Sequence, residues 1–197
     1  MRILIVSEGK SELGPNGEDG ALTVLTRRMI PREVSFSTKN IRDIAVRRHI
    51  FDGIGSGLRK RIEGWIRHAE RNDFDALVLV MDRDRDERRI RERNKVQDDD
   101  RLALPRALGV AVRSFDAWML ADESAISKAL GFSVDTQKHP ESNKDPKGDC
   151  ESLRDQSELD LGLSQLYALI ARHAHIDHLK RRCPRGFAPF AERVAAL

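Results

Sequence analysis

The sequence predicts an α/β fold: a mostly parallel sheet flanked by helices, with a helical C-terminal extension. Three observations carry that expectation. Short continuous apolar runs recur at Ile3–Val6, Ala76–Met81 and Gly109–Val112, each of strand length. Segments with helical spacing of apolar residues lie between them, which is the alternation of a parallel sheet buried on both faces. Acidic clusters follow each run, and in such sheets sites collect at the carboxyl ends of strands.

Taken in order, RILIVS (2–7) reads as a buried strand and ELGPNGEDG (12–20) as a loop, with three glycines and a proline. ALTVLTRRMI (21–30) is a helix and EVSFS (33–37) a short alternating strand. The basic stretch from Ile41 to Asp52 fits neither pattern. GSGLRKRIEGWIRHAERND (55–73) is helical, with Leu58, Ile62, Trp65, Ile66 and Ala69 on one stripe. DALVLVMDRDRD (75–86) is a second buried strand ending in acids. DERRIRERNKVQDDDRLALPRAL (86–108) reads as a polar outer helix with few apolar anchors. GVAVRSF (109–115) is a further strand, and DAWMLADESAISKALG (116–131) a helix closed by Gly131. HPESNKDPKGD (139–149) is a loop. The tail from Cys150 is mostly helical, with an interruption near CPRGFAPF (183–190). No repeat or low-complexity linker divides the chain. A main α/β region over 1–150 is expected, with 151–197 as a helical extension packed on the same domain.

The chain has 197 residues, 40% hydrophobic and 34% charged, enough for one domain with a real core. A net charge of +3 (35 basic against 32 acidic residues) permits a polyanionic partner without demanding one. Aromatics are only 5%, which argues against base-stacking platforms of the single-strand-binding kind. Two cysteines, Cys150 and Cys183, form no CxxC and imply no disulfide framework. The first apolar run is too short for a signal segment and no stretch approaches a membrane span, so a cytoplasmic, membrane-free protein is expected.

The chemistry concentrates in three clusters. In VSEGKSE, Glu8 and Glu12 flank Gly9; the GKS within it is not a P-loop, because Leu4 stands where the first glycine is required. Gly9 is expected to let the chain turn tightly. In VLVMDRDRD, Asp82 and Asp84 sit two apart, so on an extended segment both carboxylates face one side. Such a pair repels unless a cation lies between, and Mg²⁺ is the natural oxygen-liganded candidate. Asp86 and Glu87 suit a helix N-terminus instead. The run is not an EF-hand loop, lacking the sixth-position glycine and the twelfth-position Glu. In RSFDAWMLAD, Ser114 or Asp116 can cap the following helix, while Asp116 can also reach the same crevice. An ordinary charged turn accounts equally well for the Glu8 and Glu12 cluster taken alone, and a helix N-terminus is the plainer reading of the acids from Asp82 onward.

Glu8-x-x-x-Glu12, Asp82-x-Asp84 and Ser114-x-Asp116, in that order, resemble the Toprim fold. They are most similar to the Toprim half of OLD-type nucleases and to small stand-alone Toprim-like proteins, whose EGxTE-like opening and acid-Ala-Trp helix start match Glu8–Glu12 and Asp116-Ala117-Trp118. The resemblance covers roughly residues 1–150, a domain of typical size. One residue separates Ser114 from Asp116 where the family has two or three, position 11 is Ser where Thr is common, and no part of the sequence corresponds to the OLD ATPase half. The resemblance implies a metal-dependent nuclease in which Glu8, Glu12, Asp82 and Asp84, with Asp116 as a further ligand, hold Mg²⁺, with Mn²⁺ as a substitute. DNA is expected ahead of RNA as substrate, with defence against foreign DNA or nucleic-acid processing as the setting. An RNA-processing Toprim nuclease and an effector subunit acting with a separate ATPase partner are the alternatives.

The resemblance implies a late lysine near the scissile phosphate. Lys147 is the first choice, Lys10 the rival, and a solvated loop lysine the plainer reading of either. The only tyrosine, Tyr167, lies far from the acidic motifs in sequence, which disfavours strand passage and favours hydrolysis by water. Arginines of RDIAVRR and GLRKRIEGWIR can follow a nucleic-acid backbone or simply solvate a surface. His175 and His178, with Cys183 beyond, match no standard zinc spacing, and a basic polar helix is expected there.

Overall fold

The computed structural model describes residues 1–14, 19–43, 57–84 and 86–197. Its sheet is built from β1 (Arg2–Ser7), β2 (Ser35–Asn40), β3 (Ala76–Asp82) and β4 (Arg106–Ala111), in the order β2-β1-β3-β4 with every pair parallel. The α/β class expected from the sequence is therefore the observed one. β1, β3 and β4 read as continuous apolar runs because both of their faces are covered. Ile3, Ile5, Val78 and Val80 face one layer, with α1 (Ala21–Met29), and Leu4, Val6, Leu77, Leu79 and Met81 face the other. That second layer is α2 (Gly57–Arg71) and α3 (Arg88–Gln97), through Ile62, Trp65, Ile66 and Val96. β2 is an edge strand with exposed and half-buried residues alternating, and it lies over 35–40 rather than 33–37.

The remaining helices are α4 (Asp116–Met119), α5 (Glu123–Leu130), α6 (Pro146–Asp155), α7 (Leu163–His173), α8 (Ile176–Arg182) and α9 (Phe187–Ala195). Residues of α5, α7 and α9 join the α1 face of the core. No helix among the described residues is long and apolar enough to cross a membrane.

Several boundaries differ from expectation for identifiable reasons. The polar helix expected to 108 ends at Gln97. Arg106 donates to the carbonyls of Val96, Gln97, Asp99, Leu102 and Leu104, satisfying backbone groups that the end of a helix leaves open. Pro105 then precedes β4. The helix expected over 116–131 is two, because the Asp122 carboxylate accepts from the Ser124 and Ala125 amides and starts α5 afresh. Gly131 closes it in the left-handed region, φ 81°. The expected loop 139–149 holds a 3-10 turn (Pro140–Ser142) and the capped start of α6, so Lys147 is helical. Of the basic stretch 41–52, residues 44–52, including Arg47 and Arg48, lie outside the described residues, as do Gly55 and Ser56.

β1 leads through α1 to β2 on one side, whereas β3 leads through α3 to β4 on the other. The connections diverge between the C-terminal ends of β1 and β3, which opens the crevice where α/β sheets bind ligands.

Candidate functional site

Glu8 is the first residue past β1, and Asp82 is the last of β3. Glu12 folds back from the following turn and is 5% exposed. Its Oε1 lies where a Cβ on Gly9 would stand, 2.4 Å away. Gly9 is not in the left-handed region occupied by Gly14 and Gly131. Its requirement is space for the Glu12 carboxylate rather than the tight turn expected from the sequence. The Gly9 backbone donates to Glu12, while Glu12 Oε2 is buried without a hydrogen-bond partner. Burial, followed by the charges of Asp82, Asp116 and Glu8, raises the Glu12 pKa well above the usual carboxylate range.

Asp82 responds to the same surroundings. Burial raises its pKa to about 7, opposed by the Phe115 amide and reinforced by Asp116, Asp84 and Glu8. The Phe115 N–H donates to Asp82 Oδ1 at 2.8 Å. Asp116 accepts from Ser114 Oγ at 2.7 Å through one oxygen and from the Tyr167 hydroxyl through the other. Ser114 therefore orients Asp116 and donates no cap to α4. Asp84 does not continue the strand. Its φ is 53°, its side chain is 63% exposed, and its N–H bonds the carbonyl of Arg113, itself at φ 66°. The pairing of Asp82 and Asp84 on one extended segment is replaced by a bend. Two adjoining non-glycine residues in this region cost of order 1–3 kcal/mol each, the kind of strain that collects at functional sites.

Asp82, Asp84 and Asp116 line an open cleft of about 520 Å³ with Arg113, Lys144 and Lys147. Lys147 is 63% exposed, 3.7 Å from Glu151. Arg113 donates to the carbonyls of Asn143 and Lys144, fixing the segment that presents the two lysines. Lys10 lines a different cleft of about 470 Å³, with Lys39 and Asn40. Arg59 of α2 pairs with Glu63 and Asp99 rather than facing the carboxylates.

Two participants carry no local sequence signal. Arg89 of α3 donates through Nη1 to Glu8 Oε2 at 2.7 Å and to the Asp82 carbonyl at 2.5 Å, with Nη2 3.5 Å from Asp84 Oδ2. Tyr167 is the other, and its sequence distance from the acidic motifs proves misleading: α7 packs beside α5 and brings its hydroxyl to Asp116. The tyrosine is fully buried, and burial foremost keeps its phenol protonated, so it is unsuited to nucleophilic attack.

No three of the five carboxylates bring ligand atoms within 4.8 Å of one another; among the described residues only Asp122, His175 and His178 do. This second group joins the two histidines to Asp122 rather than to Cys183, whose thiol meets the Ala117 carbonyl. Asp122 is fully buried and its oxygens accept from Ser124, Ala125, the His175 amide and His175 Nδ1. Burial opposes its ionisation, but these bonds outweigh it and hold its pKa at about 2. The carboxylate's lone pairs are occupied by a helix cap and a tie to α8, leaving little for an ion. No family model, curated protein or solved structure matches this chain.

Proposed function

We propose that the protein is a Mg²⁺-dependent phosphodiesterase of nucleic acid, a Toprim-like nuclease with DNA as the leading substrate. The observation that carries this reading is Glu12. A carboxylate with one unpartnered oxygen is buried beside Asp82, Asp116 and Glu8, at the point where the strand connections diverge. Buried carboxyl groups crowded together ionise jointly only beside a cation, and an all-carboxylate donor set suits a hard ion such as Mg²⁺. Glu8, Glu12, Asp82 and Asp84 would hold it, with Asp116 as a further ligand. A bound Mg²⁺ supplies polarisation of a phosphoryl oxygen and a more acidic water.

The chain's own groups provide the rest. Ser114 and Tyr167 hold Asp116 in one orientation. Lys144 and Lys147 supply positive charge in the same cleft, where a phosphodiester oxygen can be received.

The test is cleavage of supercoiled plasmid, linear duplex and single-stranded DNA and RNA in Mg²⁺ or Mn²⁺, with a chelator control. Asp82→Asn and Glu12→Gln are expected to lower the metal-dependent rate at least 100-fold, an order set by loss of a charge-stabilising group. Equal cutting by the variants, or none by the purified wild type, rejects the stand-alone nuclease.

A further inference from the structure

The Arg89 guanidinium stands where the proposed function puts a cation. Its fork bridges the divergence point, taking Glu8 from the β1 side and Asp84 with the Asp82 carbonyl from the β3 side. Its single positive charge is shared between two carboxylates and offsets part of their mutual repulsion. It also explains why they do not converge: Glu8 and Asp84 are drawn to opposite arms of the fork rather than to a common centre. Arg89 is 23% exposed and lines a neighbouring cleft of about 700 Å³ with Arg88, Arg91 and Lys95, a lining that stays net cationic although Asp86 pairs with Arg88 and Glu92 with Lys95. These three cations recur along α3 at helical spacing, forming one stripe.

We propose that Arg89 is a resident counter-cation that the divalent metal displaces, and that the freed guanidinium then takes a phosphate oxygen of the nucleic-acid strand at the edge of this basic cleft. The proposal rests on the metal-binding reading of the carboxylates. It makes Arg89 a substrate-binding group whose availability depends on the ion. Without metal the fork is held by carboxylates and unavailable to phosphate. With metal, Glu8 and Asp84 have another partner, and an arginine fork suits a phosphodiester. A purely architectural Arg89, pinning α3 to the end of β3, predicts neither coupling.

The full chain is tested in two binding experiments that need no turnover. In the first, Mn²⁺ is titrated and the free ion followed by electron paramagnetic resonance. Arg89→Gln is expected to bind Mn²⁺ about tenfold more tightly than wild type. Arg89→Lys, which keeps the charge without the fork, should fall between. Asp82→Asn should abolish binding. In the second, a fluorescein-labelled oligonucleotide is bound in saturating Ca²⁺ or in EDTA. Arg89→Gln is expected to weaken binding about tenfold in Ca²⁺ and less than twofold in EDTA. Circular dichroism melts establish that each variant is folded. If wild type and Arg89→Gln bind Mn²⁺ equally while Asp82→Asn does not, the displacement is wrong and the metal site stands. If neither wild type nor Arg89→Gln binds Mn²⁺, the metal reading itself falls and takes the proposal with it. An oligonucleotide penalty of equal size in Ca²⁺ and EDTA makes Arg89 a fixed contact and overturns the hand-over.

Discussion

Asp82 makes the most direct residue-scale prediction. Its native pKa, raised to about 7 from an ordinary 3.8, means the folded state binds the proton more tightly than the unfolded chain. The stability this contributes is fully present below about pH 4 and is lost as pH rises through about 7. Asn carries no charge at any pH. In EDTA, Asp82→Asn should melt close to wild type at pH 4 and on the order of 5 °C above it at pH 8, the scale of one to two kcal/mol in a chain of this size. Mg²⁺ should close the gap by stabilising wild type alone. A difference independent of pH would show that this carboxylate carries no raised pKa. Glu8, Glu12 and Asp82 were legible in the sequence because each follows an apolar run of strand length. Arg89 was not, because its partner Glu8 lies 81 positions away, and Tyr167 lies 51 positions from Asp116. Such contacts are made by helix packing and leave no periodic trace. The actual requirement at Gly9 was hidden for a similar reason: it depends on where the Glu12 side chain goes, not on the backbone of Gly9.

Elements were legible where their pattern was strong and misjudged where one long-range group decided an end. The apolar runs in β1 and β3 specify strands unaided, whereas β4 covers Arg106–Ala111 rather than the expected 109–115, beginning in residues expected to be helical. The end of α3 depends on five carbonyls gathered by Arg106, and the break between α4 and α5 on the Asp122 carboxylate. Neither is a proline or glycine, the usual punctuation. β4 has a glycine that packing explains. A Cβ on Gly109 would stand 2.8 Å from Phe190 Cδ2 and 3.1 Å from Val80 Cγ2. Gly109 is therefore the recess into which α9 seats a fully buried ring. Gly109→Ala should cost about 1–3 kcal/mol through overpacking, lowering Tm by about 3–10 °C. Phe190→Leu in the same chain should recover part of that loss, because a smaller side chain vacates the contact. An alanine variant that melts with wild type would mean α9 sits less tightly on β4 than described.

At the scale of the molecule, the sheet's two faces are covered by different kinds of chain. α2 and α3 are crossover helices, which any parallel connection must supply. The opposite face needs more cover than α1 provides, and the helices beyond the last strand supply it. α9 buries Phe187, Phe190, Ala191 and Val194, and its two rings pack on Trp118 with centroids 5.1 and 5.3 Å apart. Trp118 belongs to α4, the helix that begins at Asp116. The end of the chain thus supports one wall of the acidic crevice from behind. Burying a large apolar side chain contributes about 1.5–3 kcal/mol, so Phe187, Phe190 and Val194 together contribute on the order of 5–9 kcal/mol. That rivals the whole stability of a typical domain, about 5–15 kcal/mol. A chain ending at Gly186 should therefore lose its cooperative urea transition and its near-ultraviolet dichroism, while keeping part of its helical far-ultraviolet signal. Adding the 187–197 peptide in trans should restore little, because association must also overcome the entropy that covalent linkage removes. A truncated chain that still unfolds in one sharp transition would place the core elsewhere. The acidic crevice would then stand on the sheet and α4 without support from the C-terminal helix.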